Sequence, residues 1–304
     1  MLAKIFRKSR PINFIIISLL LALSFVWFVA QTYISGADPL FLLNFPLLLF
    51  SLLLTDFIAK RNEINKSDSF AMLFFLMFLW LIPNIFSKIE IVASNFFVIL
   101  AFRRLVSIHS LLVPKQKIFD AALWICVASV FDFWAILFII PLYISIFLHV
   151  SGNFRHWLIP LVSLFTVFLL LFFYAFAFDM TVLEYIRQKA YIDLTFNQNI
   201  PLMIGVFTAV ALLLVFSQLL AYSTLLVKLQ RVFKIIMAFV IVTAIIYVIS
   251  PEKNPTILLY CFAPLAMFGS DFMKRLPRIW MRESFLIVLF VISLVSFIGF
   301  INSL

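Results

Sequence analysis

Long apolar runs separated by short polar clusters set the layout of this chain. Leu158–Phe178 and Ile235–Ile249 are nearly unbroken examples. A run near twenty residues matches the helix length that crosses a bilayer core of about 30 Å. On that rule the pattern predicts helices at 12–34, 39–58, 69–87, 89–107, 117–131, 133–150, 156–178, 201–225, 232–250, 255–272 and 284–303. The fifth and sixth are the least regular. They share one stretch, 117–150, interrupted by Asp132 in Val130–Phe131–Asp132–Phe133–Trp134. That is too long for one untilted helix and short for two full spans, so a helical hairpin with a broken first arm is expected.

Connections between runs are short, with one exception, Asp179–Ile200. Within it Leu183, Ile186, Ala190 and Leu194 recur at helical spacing, with Glu184, Arg187, Gln188, Lys189 and Asp193 on other faces. This is the pattern of an amphipathic helix lying in the membrane interface. Asn197, Gln198, Asn199 and Pro201 end it. Pro46, Pro83, Pro141, Pro160 and Pro264 fall inside runs and predict kinks. No short or inverted repeat stands out. The expected organisation is one integral membrane domain over residues 1–304, with the interfacial helix at 179–200 inside it.

Composition sharpens this. Hydrophobic residues are 65% of the 304 positions and charged residues 12%, against about 25% charged in a soluble domain. A chain this size cannot hide so much apolar surface in one core, so lipid is the solvent for most side chains. In hydrocarbon the backbone must satisfy itself, as helices or as a closed barrel. Barrel strands are short and alternate; these runs do neither. The fold class expected is all-α, a polytopic transmembrane bundle of about eleven helices. Forty Phe against five Gly implies packing by bulky interdigitation rather than small-residue contacts. The first run is longer than the roughly 7–15 residues of a signal-peptide core and reads as a retained first helix.

Charge orients the bundle. Alternating the predicted spans puts nineteen of the 23 Lys and Arg on one side, and only Lys88, Arg187, Lys189 and Lys253 on the other. Basic loops stay cytoplasmic, so the N-terminus is in and the C-terminus out, in a bacterial inner membrane. The net charge of +10 follows from this bias and implies no nucleic-acid partner, although a basic face also attracts anionic lipid headgroups.

Acidic residues near a bilayer are costly and informative. Asp56, Glu63, Asp68, Asp120, Asp271 and Glu283 fall on the basic side, each with Lys or Arg a few residues away; charge pairing is the expected role. Asp38, Glu90, Asp132, Asp179, Glu184, Asp193 and Glu252 fall on the outer side. Asp38, Glu90 and Asp132 could converge there as a catalytic set with a general base, while Arg187 and Lys189 hold a lipid phosphate. The simpler alternative is that these residues anchor helix ends. Asn44, Asn84, Asn95 and Gln218 are expected to hydrogen-bond between helices, and the tryptophans to mark the interfaces. His109, His149 and His156 lack metal-ligand spacing, and Cys126 and Cys261 form no thiolate motif. There is no P-loop, no GxSxG and no dinucleotide fingerprint. No cofactor is called for; a divalent metal stays open.

Lys117–Val162 reads KIFDAALWICVASVFDFWAILFIIPLYISIFLHVSGNFRHWLIPLV. This resembles the middle of the polytopic GT-C glycosyltransferases and their relatives: a helix with small residues, a short outer turn, an apolar return and a basic loop. Asp38 in SGADPLF matches the acidic residue of that superfamily's first outer loop, where the resemblance implies a catalytic base or metal ligand acting on a polyprenyl-phosphate sugar. The loop here is shorter, the acid is single, and no soluble outer domain follows. The chain also resembles polytopic inner-membrane proteins of AT-rich Gram-negative bacteria, which implies no activity. Two functions therefore stand: GT-C-like handling of a lipid-linked sugar or polyprenyl phosphate at the outer face, or a non-catalytic scaffold subunit of an envelope complex. Whether the protein is an enzyme is left open by the sequence. Its partners would be membrane lipids, a polyprenyl-phosphate-linked substrate and other membrane subunits. A periplasm-active reporter fused after Leu304 should be active and one fused at the N-terminus inactive; the reverse pattern would overturn the assigned orientation.

Overall fold

The structure is a computed structural model, and it describes residues 5–34, 39–62, 68–110, 112–177, 202–250 and 253–301. Among these residues there is no strand. They contain eleven α-helices of at least twelve residues: α1 (Pro11–Ile34), α2 (Asn44–Arg61), α3 (Phe70–Leu81), α4 (Ile89–Ser107), α5 (Pro114–Phe131), α6 (Ile139–Val150), α7 (Phe154–Ala177), α8 (Leu202–Ala221), α9 (Val227–Ile249), α10 (Phe262–Arg275) and α11 (Ile279–Ile301). Nine of the helical stretches in the described residues are long and apolar enough to cross a membrane. The protein is an all-α, multi-pass integral membrane protein. The remaining two helices, α3 and α5, show how the rule strains. α3 spans only about 18 Å at 1.5 Å per residue, and the 3-10 turn Pro83–Ser87 extends it. α5 opens on Lys115, Lys117 and Asp120. The 179–200 interfacial helix lies outside the described residues.

The hairpin around Asp132 is present, but the irregular arm is the second. α5 is continuous to Phe131, Asp132 is extended, and a 3-10 lead, Phe133–Phe138, runs into α6. The same joint occurs twice more. Pro39–Leu43 leads into α2 and Pro255–Cys261 into α10. In all three, proline is the third residue of the α-helix: Pro46, Pro141 and Pro264. Proline gives no N–H, and its ring collides with the carbonyl four residues back. The α-helical ladder therefore stops at Leu42, Leu137 and Tyr260, and the chain upstream tightens to i→i+3 pairing. So three of the five expected kinks are 3-10-to-α joints. Pro83 opens a 3-10 turn after α3 ends, and Pro160 lies inside α7.

Internal contacts divide the chain into two compact units. The first comprises Met1–Val92, Asn197–Leu225 and Cys261–Leu304. Its centre is α3, FAMLFFLMFLWL, which is apolar on every face and buried at every residue, as an all-round hydrophobic helix must be. α1, α2, α8, α10 and α11 surround it. The fit is aromatic: Phe78 meets Phe207 and Phe262 at 5.4 and 5.6 Å between ring centroids. Trp80 is part of this core, packed on Phe290 and Phe297, and does not mark an interface. Gly269 on α10 faces the Phe74 ring so closely that a Cβ there would meet it at 2.9 Å. Asn44 donates to the Phe86 carbonyl at 2.8 Å, and Ser296 to that of Leu81 at 3.2 Å.

At the other end of this unit Asp68 is almost fully buried. Its Oδ1 accepts the Ser270 hydroxyl at 2.7 Å and the Phe70 N–H at 3.2 Å, and Lys274 stands 3.3 Å from Oδ2. Asp56 pairs with Lys60 at 2.6 Å, one turn on. Gln218 donates to Phe268 and Asp271, and Asp271 also pairs with Arg275. Charge pairing on the basic side is thus as expected for Asp56 and Asp271, while Glu63 lies outside the described residues. Asp68, however, takes a partner far along the chain rather than a neighbouring lysine.

The second unit comprises Ala93–Phe196 and Leu226–Tyr260. α5 packs along α7 and α6 along α9. Phe239 anchors it, 4.7 Å from Phe102 and 5.1 Å from Phe138. Ser145 and Ser163 donate to the carbonyls of Leu105 and Phe119, and Arg104 pairs with Asp120 at 3.0 Å. Gly269→Ala should lower stability by about 1–3 kcal/mol through overpacking against Phe74, more than the roughly 0.5–1 kcal/mol gained in helix propensity. A thermal melt in detergent at or above the wild-type midpoint would refute this account of the α3–α10 contact.

Candidate functional site

The second unit carries one polar constellation away from its basic end, and Asp132 is at its centre. Asp132 follows the last residue of α5 and precedes the 3-10 lead, whose Ala135 N–H bonds to the Asp132 carbonyl at 3.0 Å. Its backbone is extended, which swings the carboxyl out of the α5 ladder. It is partly exposed. Tyr260 reaches it from the joint ahead of α10, with the phenol oxygen 2.7 Å from Asp132 Oδ2 and 2.8 Å from Ser94 Oγ. Ser94, in α4, lies 3.0 Å from the Ala128 carbonyl of α5. The Tyr260 ring is fully enclosed and stands edge-on to Phe138 at 5.3 Å. A buried phenol seldom goes without a partner; here it has two.

Three further polar groups sit within a turn of these residues in sequence. Asn95 follows Ser94 and is fully buried, with neither side-chain amide atom hydrogen-bonded among the described residues. Thr256, one turn before Tyr260, is also fully buried, and its hydroxyl is unpartnered. The Trp134 indole N–H is buried without an acceptor, and its ring packs on Phe133 at 5.5 Å. Phe131 stacks on Phe97 at 5.6 Å. Native proteins leave few buried polar atoms unpaired, and the exceptions gather where a polar ligand or water binds. Asp132 thus lies between aromatic residues in the chain, against the Tyr260 phenol, and each of Asp132, Ser94 and Tyr260 has an unsatisfied polar group within a turn of it in sequence.

Of the other candidates, Glu90 lies exposed in the first turn of α4, where the helix dipole favours a carboxylate. Asp38, Arg187 and Lys189 lie outside the described residues. Asn44 and Gln218 bond between helices as expected; Asn84 is exposed, and Asn95 departs from the expectation. His109, His149 and His156 each engage a backbone carbonyl through Nδ1. Cys126 and Cys261 are free thiols. Among the described residues no three His, Cys, Asp or Glu stand together to hold a metal.

Sequence reasoning found Asp132 but missed Tyr260 and Ser94. Tyr260 lies 128 residues from Asp132, and a tyrosine in an apolar run carries no signal of its own. The legible clue is Pro264, which marks the joint and places a break at Tyr260. No protein family, curated protein or solved structure matches this chain. Tyr260→Phe should cost about 1–3 kcal/mol, since it leaves buried oxygens short of a partner. Ser94→Ala alone should cost less, because it leaves the Tyr260–Asp132 contact in place. The two melts compared in detergent check the order.

Proposed function

We propose that this protein handles the polar head of a membrane-borne substrate, of the polyprenyl-phosphate or lipid-linked sugar class, with Asp132 as the acid–base group. The observation that carries the reading is the Asp132 carboxyl itself. It is partly exposed and aimed by an enclosed phenol, and the residues of this network have buried polar groups close to them in sequence that lack a hydrogen bond among the described residues: Trp134 beside Asp132, Asn95 beside Ser94 and Thr256 one turn before Tyr260. Other described aspartates on the basic side are held by lysine or arginine, which leaves them little freedom to exchange protons. Asp132 differs in having an enclosed phenol against it at a helix break, and aromatic rings near a carboxyl suit the face of a sugar ring.

In this reading Asp132 gives or takes the proton at the reacting oxygen, and Tyr260 fixes its direction. Thr256, Asn95 and Trp134 supply hydrogen bonds to the head group. Arg187 and Lys189 are assigned the phosphate on the sequence pattern alone. General acid–base groups contribute about 10²–10⁴-fold in rate. Cells carrying only Asp132→Ala should therefore accumulate the lipid-linked intermediate and lose its glycan product by at least tenfold, read by mass spectrometry of membrane extracts. Asp120→Ala, which breaks a surface pair with Arg104, serves as the control and should match wild type. Unchanged glycan in both Asp132→Ala and Asp38→Ala cells would sink the catalytic reading and favour the scaffold subunit, for which mild-detergent purification should bring down stoichiometric partners.

A further inference from the structure

Hydrogen counting in the second unit leads to a result that does not rest on the proposed substrate. Three oxygen–oxygen contacts run in series: Asp132 Oδ2 to Tyr260 at 2.7 Å, Tyr260 to Ser94 at 2.8 Å, and Ser94 to the Ala128 carbonyl at 3.0 Å. Each lies within hydrogen-bond range, so each needs a proton between its oxygens. The chain ends on a carbonyl, which has none to give. The two hydroxyls supply one each. If Asp132 is ionised, two protons must serve three contacts, and one pair of buried oxygens faces lone pair to lone pair. If Asp132 carries a proton, the count closes. Its O–H donates to Tyr260, Tyr260 donates to Ser94, and Ser94 donates to Ala128. Hydrogen positions follow from the network that satisfies every donor and acceptor, and only one assignment does so. Additional partners of Asp132 leave the count unchanged, because they add no proton between Tyr260, Ser94 and Ala128.

We propose that Asp132 is a proton-binding site, neutral in the resting protein, and that Asp132, Tyr260 and Ser94 form a one-directional hydrogen-bond relay anchored on the Ala128 carbonyl. Loss of that proton reverses the first bond: Tyr260 then donates to the carboxylate, and its contact with Ser94 is left without a hydrogen unless Ser94 turns away from Ala128. The proton is thereby coupled to the α4–α5 contact, which Ser94 makes. Among the described residues, the elements around this network carry these ionisable groups. Tyr260 faces Asp132 from the lead; Cys126 on α5, Tyr143 on α6 and Tyr247 on α9 are thiol and phenols. Glu90 lies one turn before Ser94, and Lys253 lies just ahead of the Pro255 lead. The described lysines, arginines and histidines of α5, α6, α7 and α9 stand at the opposite ends of those helices.

The test is pH-difference infrared spectroscopy of the full chain in lipid nanodiscs, with isotope-labelled aspartate. The expected result is a protonated-carboxyl band at neutral pH that disappears in Asp132→Asn. Bonds to the neutral form raise a carboxyl midpoint and bonds to the charged form lower it. Ser94→Ala removes the contact that opposes ionisation and should therefore move the midpoint down, by about one pH unit or a tenfold loss of proton affinity. Tyr260→Phe removes a bond to both forms, the stronger one to the carboxylate, and should not lower the midpoint. Absence of an Asp132 band at neutral pH, or an unchanged or raised midpoint in Ser94→Ala, would overturn the proposal. Should Asp132→Asn fail to fold, the sign of the Ser94→Ala shift decides it.

Discussion

A peptide group buried in hydrocarbon must find a hydrogen-bond partner, and the architecture follows from how this chain meets that demand where its helices break. An unpaired group there costs several kcal/mol, whereas an interhelical hydrogen bond returns about 0.6–2 kcal/mol. Avoidance therefore outweighs gain. Several carbonyls at broken or terminal turns are met by distant side chains: Ser296 reaches Leu81, Asn44 reaches Phe86 and Ser94 reaches Ala128. Prolines at the third position of α2, α6 and α10 force the breaks, and the 3-10 leads keep the backbone paired through them. Helix–helix specificity is written largely in these side-chain-to-carbonyl bonds, with phenylalanine filling the remaining space.

The polar groups divide by chemistry. Where lysine and arginine collect, aspartates are closed by ion pairs: Asp56 with Lys60, Asp68 with Lys274, Asp120 with Arg104 and Asp271 with Arg275. Two of these pairs lie within a single helix, and two link different helices near their ends. Asp132 has a phenol among its partners, Tyr260, and that distinction is why the proposed function is centred on it. The same local break serves both purposes. Pro264 halts the α10 ladder at Tyr260, and the resulting 3-10 turn presents the phenol to a carboxyl that another break has freed.

Most of the fold was legible because it depends on one-dimensional quantities. Run length and charge alternation located eleven helices, including the irregular hairpin, and the i,i+4 pairs Asp56–Lys60 and Asp271–Arg275 could be read directly. The failures share a cause. Asp68 with Lys274, and Asp132 with Tyr260, are pairings across the sequence that no local period records. The triplicated joint escaped because the intervals from Asp38 to Pro46, Asp132 to Pro141 and Asn254 to Pro264 grow from eight to nine to ten residues, which defeats any fixed-period comparison. Gly269 looked like any other glycine; only the Phe74 ring against it makes it necessary.

The central position of α3 bears on how the chain is made. Synthesis runs from the N-terminus, and domains usually assemble as they emerge, yet α10 and α11, which cover α3, are translated last. Lipid tails are as apolar as leucine, so α3 can wait in the bilayer at little cost. Asp68 at its start cannot sink with it, because Ser270 arrives 202 residues later. The carboxylate must stay at headgroup depth until α10 enters and supplies both Ser270 and Lys274. Insertion of that late helix is thus a checkpoint in biogenesis, at which the earliest helices are drawn to their final depth.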